Sequence, residues 1–345
     1  MNHVHQVKTT NGGSYIDGVP ALQWGQWKDC TLSCAISTLL NSLGMDASYE
    51  QVAGLTGSCY RFGMCYGWDP GSLIVNTSYA YLGFDSACGT ADNAGRAFGL
   101  DFSAVGNAAE RDDKVRQSIG AGVPVLCMGG YGAPEWCVIT GYDVKDGISR
   151  YFGRSYFDDG AKEDELVTGN RYTVFSGYPG EWPEGFLTLC DRTCQPLNPL
   201  EALKVSLETC IRMFSPHPKM GYGAYEFMIH SLETDPMETH GSWNICMHFV
   251  ALMDARKAAA IYLEESAALL SGGNASRLMQ AAAMYRAMFD ALSSVISYEN
   301  MNMKQFDAGL PAGLKKDLVD ALQRMVSLER QARVTVQAIL DAWQA

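Results

Sequence analysis

The sequence predicts an α+β domain over residues 1–198 followed by an antiparallel helical bundle over 199–345. Three observations carry this prediction. Composition divides near residue 200: 28 of the 35 glycines and nine of the 11 cysteines precede it. The remainder is alanine-rich and poor in glycine, as long helices require. The first part holds a helical run and then short extended runs separated by Gly, Pro and acidic turns, the order of an α+β domain. The second part repeats apolar residues at three- and four-residue steps over long stretches, the mark of amphipathic helices.

Each element has its own signal. Residues 31–43 form an apolar helical run that Gly44 ends. Ser48 opens a second helix over 48–55, with Gln51 three residues later as in a capping box, and Thr56-Gly57 closes it. Extended runs follow at 123–128, 136–142, 149–157, 171–175 and 186–190. Pro196 and Pro199 mark residues 194–200 as a linker. Beyond it, Ile245, Phe249, Leu252, Ala259, Leu263, Ala267 and Leu270 form one stripe, which Gly272-Gly273-Asn274 ends. Leu278, Ala282, Tyr285, Phe289, Leu292 and Ile296 form a second, and Leu314, Leu318, Leu322, Met325, Leu328, Ala332, Ile339 and Trp343 a third. Short Gly or Pro breaks between such segments predict antiparallel neighbours.

Bulk properties narrow the function classes. At 345 residues and 47% hydrophobic, the chain is long enough for a large core in about two domains. Net charge is −12, with 26 basic against 38 acidic residues and no basic run. This argues against nucleic-acid and anionic-membrane partners and leaves a small-molecule or peptide substrate, with the helical segment a candidate surface for homo-oligomerisation. The 11 cysteines are an odd number, so they cannot all pair within the chain. The first 13 residues lack an apolar signal core, and no apolar run reaches 18 residues. The expectation is free thiols in a reducing, cytoplasmic compartment.

The usual cofactor and nucleophile motifs are missing. There is no Gly-x-Gly-x-x-Gly, no phosphate-binding Gly-x-x-x-x-Gly-Lys-Ser/Thr and no Gly-x-Ser-x-Gly. Cys190 and Cys194 have no matching second pair, and no His-x-x-x-His exists, so neither metal nor cofactor is expected. The informative segment is residues 23–44. Cys30 follows a Gln-containing loop and opens an apolar helix, with Cys34 one turn later. A helix N-terminus carries positive partial charge and unpaired amides, which favour the nucleophilic thiolate. The same amides, with a side chain such as Gln23 or Gln26, can hold an oxyanion.

Asp29-Cys30-Thr-Leu-Ser-Cys-Ala, then Leu39-Leu-Asn-Ser-Leu-Gly44, then Ser48-Tyr-Glu-Gln-Val-Ala-Gly-Leu-Thr56-Gly57, resembles the papain-like cysteine peptidases that cleave bacteriocin leaders. It also resembles the N-terminal domain of the butirosin-biosynthesis acyltransferase family. Ala133-Pro-Glu-Trp-Cys-Val-Ile-Thr-Gly-Tyr-Asp143 stands where that pattern has a strand of the type His-x-Val-Val-x-Gly-Tyr-Asp. The helices around Asp254-Ala-Arg-Lys-Ala-Ala are similar to the appendage of those bacterial relatives. The resemblance implies a papain-like fold and a cysteine hydrolase or acyltransferase, in which Cys30 forms a thioester with a small peptide-like or amino-acyl substrate.

The position of the family's base histidine falls on Glu135 or Trp136, and no histidine lies between His5 and His217. Three readings stay open: Glu135 is the base, with apolar neighbours such as Trp136 raising its pKa; His240 or His248 from the helical part supplies it; or the chain is a catalytically inactive ligand-binding or regulatory protein. Asp143 or Asp158 would orient a base. The loop 59–69, with Arg61 and Trp68, is a candidate pocket wall, and Arg154, Tyr156, Asp158 and Asp159 a second, polar one. Trp136 would line the same cleft.

Overall fold

The computed structural model describes residues 6–10, 12–22, 27–69, 71–72, 87–105, 108–130, 135–156, 158, 166–167, 172–175, 188–191, 195–214, 218–296 and 310–344. The fold is mixed α+β. The chain divides into two compact units, Met1–Val52 with Ser86–Leu197, and Ala53–Asp85 with Asn198–Ala345. One division coincides with the composition break. A second falls inside a helix and, with a third at 85/86, sends residues 53–85, expected in the first domain, to the helical unit.

The first unit is built on an antiparallel sheet. Strands β1 (Val7–Thr10) and β2 (Gly13–Ile16) make an N-terminal hairpin, followed by helix α1 (Thr31–Ser42) and the start of α2 (Tyr49–Thr56). After α3 (Ala87–Ala97), β3 (Asp101–Ala104) and α4 (Ala108–Gly120) come β4 (Val125–Met128), β5 (Trp136–Lys145), β6 (Ile148–Arg154), β7 (Leu166–Val167), β8 (Tyr172–Val174) and β9 (Thr188–Asp191). The strand order is β3-β9-β4-β5-β6-β8-β7, and β2 joins β5 at Ser14↔Tyr142. The expected runs thus become strands, but helices α3 and α4 and the N-terminal hairpin add to the simple order of helices then strands.

Strand β5 is the spine. Its register sets Ile139 opposite Val125 and Cys137 opposite Cys127. Ile139, Val125 and Cys127 share one core with Val115 and Ile119 of α4, together with Ile16, Phe152 and Tyr172. Side-chain alternation puts Leu126 and Val138 on the opposite face, and α1 packs against both strands. With both faces covered, β5 reads as a continuous buried run from Trp136 to Thr140 rather than an alternating one. Gly153 is forced by packing, since a Cβ there would lie 1.9 Å from the Val138 carbonyl oxygen.

The second unit is helical: α5 (Pro199–Met213), α6 (Tyr222–Thr234), α7 (Ser242–Ser266), α8 (Gly272–Ser293) and α9 (Ala312–Gln344). Pro199, read as part of a linker, instead starts α5. Pro199 takes the first helical position, where its missing N–H costs nothing, and Asn198 accepts a hydrogen bond from Leu200 N–H at 2.9 Å. Gly272 and Gly273 likewise open α8 rather than closing the helix before it. The three stripes are core: Ile245, Phe249, Leu263, Leu278, Tyr285, Leu292, Leu318, Leu322, Met325 and Ile339 are all buried. Helix α8 packs between α7 and α9. No helix among the described residues is long and apolar enough to cross a membrane.

Candidate active site at the first turn of helix α1

Cys30 is the N-cap of α1, with extended φ −83° and ψ 98° and no side-chain cap bond. A non-glycine residue in the left-handed region, Trp27 at φ 59°, precedes it by three residues; such strained positions cluster at functional sites. Gly44, at φ 77°, closes the helix with its N–H on the Asn41 carbonyl at 3.0 Å, the expected C-terminal glycine. The Ser48 cap of α2 is present, its Oγ accepting from Gln51 N–H at 3.0 Å. Among α1's residues only Asn41 escapes full burial, so this is a central helix.

Three side chains of the first unit, Ser33, Tyr49 and Tyr156, lie around Cys30 and its helical neighbour Cys34. Ser33 Oγ–H donates to Cys30 Sγ at 3.3 Å. The Cys30 backbone N–H donates to the Tyr49 phenol oxygen at 3.0 Å. Cys34 sits one turn on, its N–H on the Cys30 carbonyl at 3.0 Å. The groups that act on the Tyr156 phenol include the Cys34 thiol, Tyr49 and Cys30. Burial, and then the neighbouring thiol of Cys34, hold the Tyr156 hydroxyl well above the ordinary phenol range, so it keeps its proton.

The head of β5 meets this turn. Trp136 N–H donates to Thr31 Oγ1 at 3.3 Å, and Trp136 is buried. Glu135, the residue before it, takes the Gly129 N–H on its carbonyl at 2.9 Å, and its side chain is half-buried. Cys30, Trp136 and Glu135 are therefore brought to one end of α1 and β5. Gln23 and Gln26, the expected oxyanion side chains, lie outside the described residues.

The two aspartates have other work. Asp143, seven residues along β5 from Trp136, forms a two-point ion pair with Arg150 on β6, at 2.8 and 2.5 Å, far from the head of the strand. Asp158 accepts from Ser155 N–H at 2.9 Å, Ser155 Oγ–H at 3.1 Å and Thr173 Oγ1–H at 2.8 Å. It thereby clamps the turn that carries Tyr156. Burial pushes its carboxyl above the usual range. Arg154 extends the clamp, donating to the Val19 carbonyl at 2.9 Å and lying 4.5 Å over the Tyr172 ring.

The remaining candidates belong to the helical unit. Arg61, expected in an open loop, is 2% exposed and paired with Asp254 at 3.3 Å. Trp68 is buried, its indole N–H on Ser231 Oγ at 2.8 Å. The Trp68 ring has His240 on one side at 6.3 Å and His248 edge-on at 5.5 Å. Ser231 in turn bonds Asp235, which lies 3.6 Å from His240 Nε2. His248 is 1% exposed, and its Nδ1 sits 2.7 Å from the Asn244 carbonyl, so Nδ1 carries the proton. Its Nε2 is left without a partner, and burial lowers the imidazole to about 4, keeping it neutral.

None of the nine cysteines whose side chains are described forms a disulfide. Burial pushes Cys127, Cys210 and Cys246 up to about 12 and Cys59 well above its ordinary value, as expected of inert packing thiols. No group of three or more potential metal-ligating side chains occurs among the described residues. Comparison of the chain with protein-family models and with curated protein sequences gives no match.

Sequence reasoning passed over Tyr49 and Ser33. Ser33 stands three residues after Cys30 on a helix, a spacing that puts the two side chains on one face and was legible. Tyr49 carried no signal, because its contact depends on how α2 folds back on α1.

Proposed function

We propose that this chain is a cysteine-dependent amide-bond enzyme of papain-like architecture, a hydrolase or acyltransferase working through a thioester at Cys30. One observation supports it most: the Trp136 N–H···Thr31 Oγ1 bond ties the head of a central antiparallel strand to the N-terminal turn that begins with Cys30. In the reaction, Cys30 Sγ attacks a carbonyl carbon and the C–N bond breaks. The amine leaves with a proton, and water or a second amine then displaces the sulfur. Glu135 is the carboxylate beside that strand head and takes the thiol proton. The Cys30 amide is the oxyanion donor, and the Tyr49 oxygen marks where an acyl oxygen would sit. Free thiols and the acidic charge fit a cytoplasmic setting and a small peptide-like or amino-acyl substrate.

A second reading has its own support. Cys30 is 0% exposed and no histidine occurs from residue 6 to 216, as in a ligand-binding protein that lacks turnover. Intact-mass spectrometry after incubation with a panel of aminoacyl and peptidyl thioesters separates the two. The enzyme reading expects an acyl adduct that maps to Cys30, is released by hydroxylamine and is lost in Cys30→Ala. Full turnover of a responding substrate by Cys30→Ala would end it.

A further inference from the structure

We infer that Tyr49 is an autoinhibitory plug: in the resting fold its phenol oxygen occupies the Cys30 amide, the donor that an acyl oxygen needs, and a substrate must displace it. The inference rests on reading this turn as a reactive-thiol site, and it adds a gating step to that site.

The contact stands where the chemistry would. The Cys30 N–H donates to the Tyr49 oxygen at 3.0 Å, and Ser33 Oγ–H donates to Cys30 Sγ at 3.3 Å. The amide and the sulfur of Cys30 are thus both engaged by the protein's own hydroxyls, and the residue is 0% exposed. An amide buried at a helix start needs an acceptor. A phenol oxygen supplies one, but a neutral one. An oxyanion makes a charge-assisted bond to the same N–H, about twice as strong. The plug therefore yields to the tetrahedral adduct of the reaction and resists a ligand that brings no such oxygen.

A fixed corner brings Tyr49 to this point. Gly44, at φ 77°, turns the chain out of α1. Ala47 is then pinned back onto the middle of that helix. Its carbonyl accepts from Ser37 Oγ–H and from Asn41 Nδ2–H, both at 2.8 Å, and its N–H donates to Asn41 Oδ1 at 3.2 Å. Ser48 caps α2, and Tyr49, the first residue of α2, reaches the first turn of α1. The backbone two residues before Tyr49 is held by three bonds, whereas the phenol lies at the end of a rotatable side chain. The backbone is fixed and the oxygen is the part that can leave.

The test uses N-acetylglycinal, a small peptide-like aldehyde. Its carbonyl carbon bonds to Cys30 Sγ, the thiol proton passes to the carbonyl oxygen, and the hemithioacetal oxygen takes the Cys30 amide. Titration with the aldehyde carbon isotope-labelled gives the dissociation constant from the hemithioacetal signal by NMR, with Cys30→Ala as the background from other thiols. Tyr49→Phe removes the oxygen and keeps the ring. It should bind about tenfold more tightly than wild type, the worth of one hydrogen bond that no longer has to be broken. Replacing Tyr49 by fluorotyrosine keeps the contact but makes the oxygen a poorer acceptor. That protein should also bind more tightly, and it serves where the Phe variant does not fold. Equal or weaker binding by a variant that keeps the wild-type circular dichroism would overturn the inference, since Tyr49 would then only satisfy the amide. Adducts of equal affinity in all the proteins retire the plug alone. Absence of a Cys30 adduct from wild type and variants alike retires the reactive-thiol reading and the plug with it.

Discussion

Arg256 and Glu329 pair in the core of the helical unit at 2.9 Å, both 0% exposed. Arg256 also donates to the carbonyls of Cys59 and Arg61, at 3.3 and 3.1 Å, and to the Tyr225 oxygen at 3.1 Å. Tyr225 O–H donates to Glu329 at 3.1 Å. Replacing Glu329 by Gln keeps the shape and leaves a buried guanidinium without its counter-charge, at a cost of about 3–5 kcal/mol. For a unit of about 180 residues this is a fall in Tm of about 6–20 °C. Arg256→Met should cost a similar amount, since it strands the carboxylate. The double variant Arg256→Met/Glu329→Leu should cost far less than the two single costs together, because no unpaired charge remains. Burial pushes the Glu329 carboxyl up, against the opposing pull of the Arg256 charge. Calorimetry at pH 7 reads all of this. Single variants that lose under about 1 kcal/mol, or a double variant that loses the full sum, would refute the reasoning.

Three other outcomes are expected. Tyr49→Phe leaves the buried Cys30 N–H without its acceptor and should cost about 1–3 kcal/mol in urea unfolding, whereas an unchanged midpoint would remove Tyr49 from the site. His248 titrates in the unfolded chain near 6.5 and in the fold at about 4. The stability it contributes above pH 6.5 is lost as pH falls through 4, about 3 kcal/mol in all; His248→Phe should flatten that part of the acid-unfolding curve, and an equally steep curve would count against it. A Cβ at Gly54 would lie 2.2 Å from the Tyr262 ring, so Gly54→Ala should destabilise by about 1–3 kcal/mol, partly recovered by Tyr262→Leu, as thermal melts would show.

What the sequence made legible was periodic or punctuated. The α1 run with its Gly44 stop, the Ser48 cap and the three apolar stripes all became the elements that their spacing implied. Arg256 and Glu329 could also have been read, since they stand in register with the stripes: Arg256 four residues after Leu252, and Glu329 four after Met325. A charge in an apolar stripe signals a buried pair, though not its partner. The Pro199 region misled because proline at a helix start and proline in a linker look alike until Asn198 is seen to cap. Residues 53–85 were misassigned because nothing local distinguishes a loop that buries Arg61 and Trp68 in a helical core from one that lines a pocket. At the candidate site, Cys30 was legible from its place before an apolar helix. Tyr156 was named only as polar wall, and its place near the Cys34 thiol is a tertiary fact, since Asp158 folds the turn after β6.

The central claim is that Cys30, alone among the thiols it resembles in burial, is chemically exceptional. The direct measurement is time-resolved peptide mapping of the native protein under limiting iodoacetamide at pH 7. The account predicts that Cys30 is labelled well before Cys59, Cys127, Cys210 and Cys246, whose thiols burial holds in the unreactive form. Labelling of Cys30 in step with those four, and only as the protein unfolds, would contradict it.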